Sequence, residues 1–155
     1  MILENIHCLL QFDDRGNLLA LVSKSSGRNY IVKDGCSLFR LTMTEIIENR
    51  VMPGTLALTG DMAEQIDFIQ QSQCVEIDYR NLDGMPVTVK CTIGFMDEEI
   101  HWNILIENKT RFAVSEIEYP VLLFKPYLGL NAESERILLP KMDGILPVSY
   151  THLTL

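Results

Sequence analysis

The sequence predicts an all-β chain of short antiparallel strands, layered as a β-sandwich or closed as a barrel. Three observations carry this. Apolar and polar residues alternate with a period of two over most of the chain, as they do in strands with one buried face. Clusters of Gly, Asn, Asp and Ser separate these runs and supply turns. Helical periodicity is scarce, and nothing alternates strand with helix as a parallel sheet would.

The N-terminal third opens with Ile6, Cys8, Leu10 and Phe12 alternating with His7 and Gln11. Asp13, Asp14, Arg15, Gly16 and Asn17 then form a hairpin turn, and residues 18–23 return as a strand. A turn over 25–29 leads to an extended run at 30–32, and residues 37–43 make another short strand. Residues 44–73 are ambiguous. Met62, Ile66 and Ile69 share a face if 61–69 is one helix. Ile66 and Phe68 share a face if 65–70 is a strand that pairs with 74–80 across 71–73. The antiparallel neighbours favour the strand.

The cleanest rhythm lies between 74 and 123. Val75, Ile77 and Tyr79 oppose Glu76, Asp78 and Arg80, and the turn residues Asn81, Asp83 and Gly84 follow. From 85 to 95 the odd positions are Met, Val, Val, Cys, Ile and Phe, completing a hairpin. Ile100, Trp102, Ile104 and Ile106 oppose His101, Asn103 and Glu107. Asn108, Lys109 and Thr110 turn the chain into a strand around 114–123, where Pro120 confines the end to a sheet edge or a bulge. These four strands read as one meander. Residues 126–135 read as loop and 136–140 as extended.

The length of 155 residues, 47% hydrophobic and 22% charged, suits one globular domain with a core that needs no disulfide or metal. A net charge of −8 repels phosphate backbones and anionic headgroups, so nucleic acid and membrane are excluded as partners while neutral ligands such as sugars are not. Glu4, Asn5 and His7 interrupt the first apolar run, so no secretory signal is read and a cytoplasmic location is expected. The four cysteines form no C-x-x-C pair and read as buried free thiols.

The final residues 148–155, Val-Ser-Tyr-Thr-His-Leu-Thr-Leu, resemble the peptide obtained when a transposase-type sequencing adapter is read in frame. They are set apart from the domain, 1–147, which is expected to be incomplete at its C-terminal end.

A family resemblance spans most of 4–147. Glu4-Asn5, the run Leu10-Gln11-Phe12-Asp13-Asp14 with Gly16-Asn17-Leu18, and Gly27-Arg28-Asn29-Tyr30-Ile31 resemble the N-terminal domain of bacterial glycoside-hydrolase-like proteins. Ile104, Ile106-Glu107-Asn108, Ile117-Glu118-Tyr119-Pro120 and Leu138-Leu139-Pro140 agree with it. That domain is similar to the galactose mutarotase supersandwich. The resemblance implies an antiparallel β-sandwich that packs against a C-terminal catalytic (β/α)8 barrel absent from this chain, with no cofactor. The hydrolytic carboxylate pair would then lie in the barrel. An autonomous carbohydrate-binding module and a mutarotase-like epimerase are the alternatives.

No catalytic residue or metal ligand is assigned. Glu76, Asp78, Glu116 and Glu118 fall on outward strand positions and read as solvated, and Glu98 and Glu99 as turn residues. His7 and His101 fall on polar faces. The turn at 13–17 lacks the spaced ligands and distal Glu of a calcium loop. Trp102 and Tyr127 are the candidates for carbohydrate or interface contact. Trp102 shares a row with Ile100, Ile104 and Ile106, which points to core packing, and Tyr127 lies beside residues 124–126.

Overall fold

The computed structural model describes residues 1–32, 35–47, 50–96 and 99–125, with backbone alone over 50–53. The chain divides into two compact units, Met1–Leu123 and Phe124–Leu155. All elements described here belong to the first. Tyr127, the loop and extended run expected over 126–140, and the tail 148–155 lie outside the described residues.

The described chain is all-β and antiparallel. Strands β1 (Ile2–Glu4), β2 (Cys8–Phe12) and β3 (Leu18–Ser23) form one sheet. Strands β4 (Arg40–Ile47) and β5 (Arg50–Thr59) pair, with β10 (Phe112–Glu118) on the far side of β4. Strands β6 (Ala63–Gln70), β7 (Cys74–Leu82), β8 (Met85–Met96) and β9 (Glu99–Asn108) form a four-stranded meander. Buried side chains from all three sheets belong to a single cluster that includes Leu10, Phe12, Leu41, Leu58, Ile77, Tyr79, Val89 and Ile93.

The ambiguity over 61–69 resolves as strand. A single 3-10 turn, Gly60–Met62, precedes β6, which pairs with β7 from Ala63 opposite Leu82 to Gln70 opposite Val75. In that register Ile66 and Phe68 join Tyr79 and Ile77 on the inner face. Alternation reveals neither the short β1 nor β5, whose pattern Pro53 and Gly54 interrupt. Gly54 sits at φ 114°, a conformation that favours glycine.

The expected meander over 74–123 is corrected at its fourth strand. β10 does not pair with β9. It crosses to β4, placing Val114 opposite Met43 and Ile117 opposite Leu41. The turn between β9 and β10 is held by side chains: Asn108 Nδ2 donates to the Phe112 carbonyl at 2.6 Å, and the Thr110 amide donates to Asn108 Oδ1 at 2.9 Å. A bulge in β10 between Val114 and Glu116 lets the Ser115 hydroxyl donate to the Thr42 carbonyl at 3.0 Å.

Smaller corrections concern the N-terminal third. Ile6 does not share the core face of Leu10 and Phe12; it lies exposed in a bend before β2. Residues 30–32 form no strand, and the Tyr30 amide donates to the Leu21 carbonyl at 2.9 Å beside an isolated Val22–Asn29 bridge. The turn at 13–17 is a lock. Asp13 Oδ1 accepts from the Arg15 and Asn17 amides at 2.9 and 2.8 Å. Asn17 Nδ2 donates to Asp13 Oδ2 at 3.1 Å and to Asp61 Oδ1 at 3.2 Å, which ties the β2–β3 turn to the 3-10 turn. Arg15 adds a guanidinium bond to the Asp61 carbonyl.

Candidate functional site

The outer face of the β6–β9 sheet holds the polar side chains, and its register arranges them in rows. Gln65, Arg80, Thr88 and Glu107 form one row. Asp67, Asp78, Lys90 and Leu105 form the next, followed by Ile69, Glu76, Thr92 and Asn103, and then Cys74, Gly94 and His101. The row order follows from the period-two pleat, since each inner residue (Val75, Ile77, Val89, Cys91, Ile93) forces its neighbours outward.

Paired charges run across the first three rows. Lys90 Nζ lies 2.9 Å from Glu76 Oε1 and 3.9 Å from Asp78 Oδ1, while Arg80 reaches Asp78 at 3.1 Å and Asp67 at 3.5 Å. The Glu76 hydrogen bond pushes the Lys90 ammonium pKa up. Asp78 and Glu76 are therefore more than solvated face residues: the Asp78 side chain is only 13% exposed and Lys90 and Arg80 cover it. A shallow depression of about 250 Å³ lies between Asp78, Arg80, Thr88, Lys90, Leu105 and Glu107. Mutually neutralised charges leave it little pull on an ionic ligand.

The third and fourth rows open into a different groove, of about 260 Å³, lined by the turn 71–73 and by Thr92, Gly94, Met96, His101 and Asn103. Gly94 sets its floor. A Cβ there would stand 3.1 Å from Cys74 Cβ and 3.3 Å from the Gln73 carbonyl, so the turn lies close over the strand and would have to give by a few tenths of an ångström to admit a side chain. His101 Nε2 is 3.5 Å from Glu99 Oε2, along the same strand edge. Glu99 opens β9 rather than sitting in a turn, and Glu98 lies outside the described residues.

Trp102 sits apart from both depressions. It belongs to the inward row of β9, half-buried against the core, and meets Tyr119 edge-to-face with ring centroids 6.4 Å apart. Tyr119, next to the cis Tyr119–Pro120 bond, donates its hydroxyl to the Asn103 carbonyl at 3.0 Å. This covers one carbonyl on the free edge of β9. His7 is exposed before β2, at a distance in sequence and sheet from His101. The groove residues Thr92 and Asn103 carry no motif, and only the strand register brings them together.

The cysteines are free, but only Cys91 is fully buried. Burial pushes its thiol pKa up to about 12. Burial also raises the hydroxyl pKa of Tyr79 and of Tyr119. Raised acid pKa values mean that the folded state holds protons which the unfolded state releases, starting from 9.0 for the thiol. Stability is therefore expected to fall as pH rises through about 9, by up to about 1.4 kcal/mol per pH unit for Cys91 alone. Urea unfolding between pH 7 and 11 checks this, and Cys91→Ala should flatten the first part of the slope.

Among the described residues no group of three His, Cys, Asp or Glu side chains is placed to hold a metal ion, and no helix is long and apolar enough to cross a membrane. No protein-family model matches the chain, and no curated protein sequence matches it.

Proposed function

We propose that this chain is a non-catalytic β-sandwich module of a carbohydrate-active enzyme, which works by packing against a catalytic domain encoded beyond it. The observation that carries the reading is the tip of the β4–β5 ribbon. β10 accompanies β4 only as far as Glu45, so among the described residues the pairs Ile46–Val51 and Ile47–Arg50 have no third strand beside them. Ile46 and Ile47 are 45% and 47% exposed there, and Ile117 on β10 is 50% exposed. Adjacent residues of a strand face opposite ways, so an isolated ribbon tip with isoleucine on both sides suits insertion between surfaces of another domain. The pattern resemblance over 4–147 supplies the identity of that domain, a glycoside-hydrolase barrel.

Two measurements test it. The reading frame, followed in genomic DNA past position 147, should continue into a domain with paired carboxylates; a stop near position 150 would refute the reading. In the isolated chain, Ile46→Ser with Ile47→Ser should lower self-association seen by sedimentation and leave stability within about 0.5 kcal/mol, as exposed positions allow. Unchanged association would count against a docking role for the tip.

A further inference from the structure

The geometry points to the groove over β7, β8 and β9 as a binding site for a neutral, polyhydroxylated ligand about one pyranose ring in size. Its volume of about 260 Å³ falls just below the roughly 300–1,000 Å³ of pockets for drug-sized ligands, which suits a single ring.

The chemistry of the lining narrows the ligand class. Ser72, Gln73, Thr92 and Asn103 make no side-chain hydrogen bond to another described residue, and all four line the groove. Each is a hydroxyl or amide that both donates and accepts, which is the complement of a sugar hydroxyl. Among the described residues the lining holds no Asp, Glu, Lys or Arg, and its one imidazole, His101, lies beside Glu99. Lys90 and Arg80, in the neighbouring rows, are engaged with Glu76, Asp78 and Asp67, so neither awaits a phosphate or carboxylate. The net charge of −8 further repels anions. Met96, 61% exposed on the rim, offers a polarisable apolar wall to the C–H face of a ring.

The ligand class follows from the groove itself; choosing a pyranose among neutral polyols rests on the function proposed above. The test is a titration of the full ¹⁵N-labelled chain, followed by amide shifts, with glucose, galactose and their β-linked disaccharides. Glycerol and glucose 6-phosphate serve as controls. Binding at millimolar saccharide is expected to move amides of residues 71–74, 92–94 and 101–103. Asn103→Leu and Thr92→Val should each weaken it roughly fivefold, the loss of one ordinary hydrogen bond, with an unchanged melting temperature. Absence of shifts with every sugar, shifts centred elsewhere, or equal response to glycerol or to the phosphate would overturn the inference. The two readings can fail separately. A silent groove in a chain whose frame continues into a catalytic domain sinks the binding site alone, whereas sugar binding in a chain that stops near position 150 sinks the accessory module alone.

Discussion

Replacing Gly16 with Ala is expected to cost about 2–5 kcal/mol of stability, as the sum of two independent penalties. Gly16 sits at φ +78°, where a Cβ introduces left-handed strain of about 1–2 kcal/mol. A Cβ there would also stand 2.1 Å from the Tyr79 hydroxyl and 3.0 Å from Tyr79 Cζ. Overpacking of this kind adds about 1–3 kcal/mol, because Tyr79 is fully buried and has nowhere to retreat. The two penalties separate in a double variant. Tyr79→Phe removes the atom that collides first, so Gly16→Ala in that background should lose less than it does alone. Guanidinium unfolding of the four chains measures the coupling. Additive losses would mean that the turn moves away from Tyr79, and the steric account would be wrong.

Tyr79→Ala is expected to cost about 3–5 kcal/mol, the range for deleting a buried aromatic ring. Tyr79 lies at the crossing of all three sheets. On β7 it pairs with Ile66 and Val89, its ring meets Phe39 edge-to-face at 5.1 Å, and its hydroxyl donates to the Gly16 carbonyl at 3.3 Å. The same ring leaves no room at Gly60, where a Cβ would come within 2.8 Å of Cε1. Gly60 in turn donates its amide to Ser37 Oγ at 2.6 Å, so the 3-10 turn, the segment before β4 and the β2–β3 turn all converge on one side chain. Tyr79→Phe, which loses only a long hydrogen bond, should cost about 1 kcal/mol. A melting temperature lowered by about 3 °C per kcal/mol gives an independent reading. If Tyr79→Ala cost no more than Tyr79→Phe, the shared core would not depend on this ring.

The strands that alternate strictly are legible in the sequence. Val75, Ile77 and Tyr79 against Glu76, Asp78 and Arg80 fix a buried and an exposed face, and the Asp83-Gly84 turn fixes the register of β7 on β8, both residues adopting positive φ. β5 was not legible, because Pro53 and Gly54 break the rhythm by which a strand is recognised. Of the candidate site residues, Trp102 was placed by its row, and the half-buried packing against Tyr119 agrees with that placement. The groove was invisible in sequence. Thr92, Gly94, Asn103 and the turn at 71–73 are ordinary strand and turn residues, and their convergence depends on three strands lying side by side.

Sequence alone therefore determined that this chain forms antiparallel strands, which residues face inward along β7 and β8, and where the tight hairpin between them falls, because all three depend on neighbours within a few positions. Tertiary structure decided that β10 leaves the meander for β4, that the charges on β7 and β8 neutralise one another, and that a groove opens beside Gly94. Alternation says which face of a strand is buried but not which edge it joins, and an edge is chosen by packing between residues far apart in the chain.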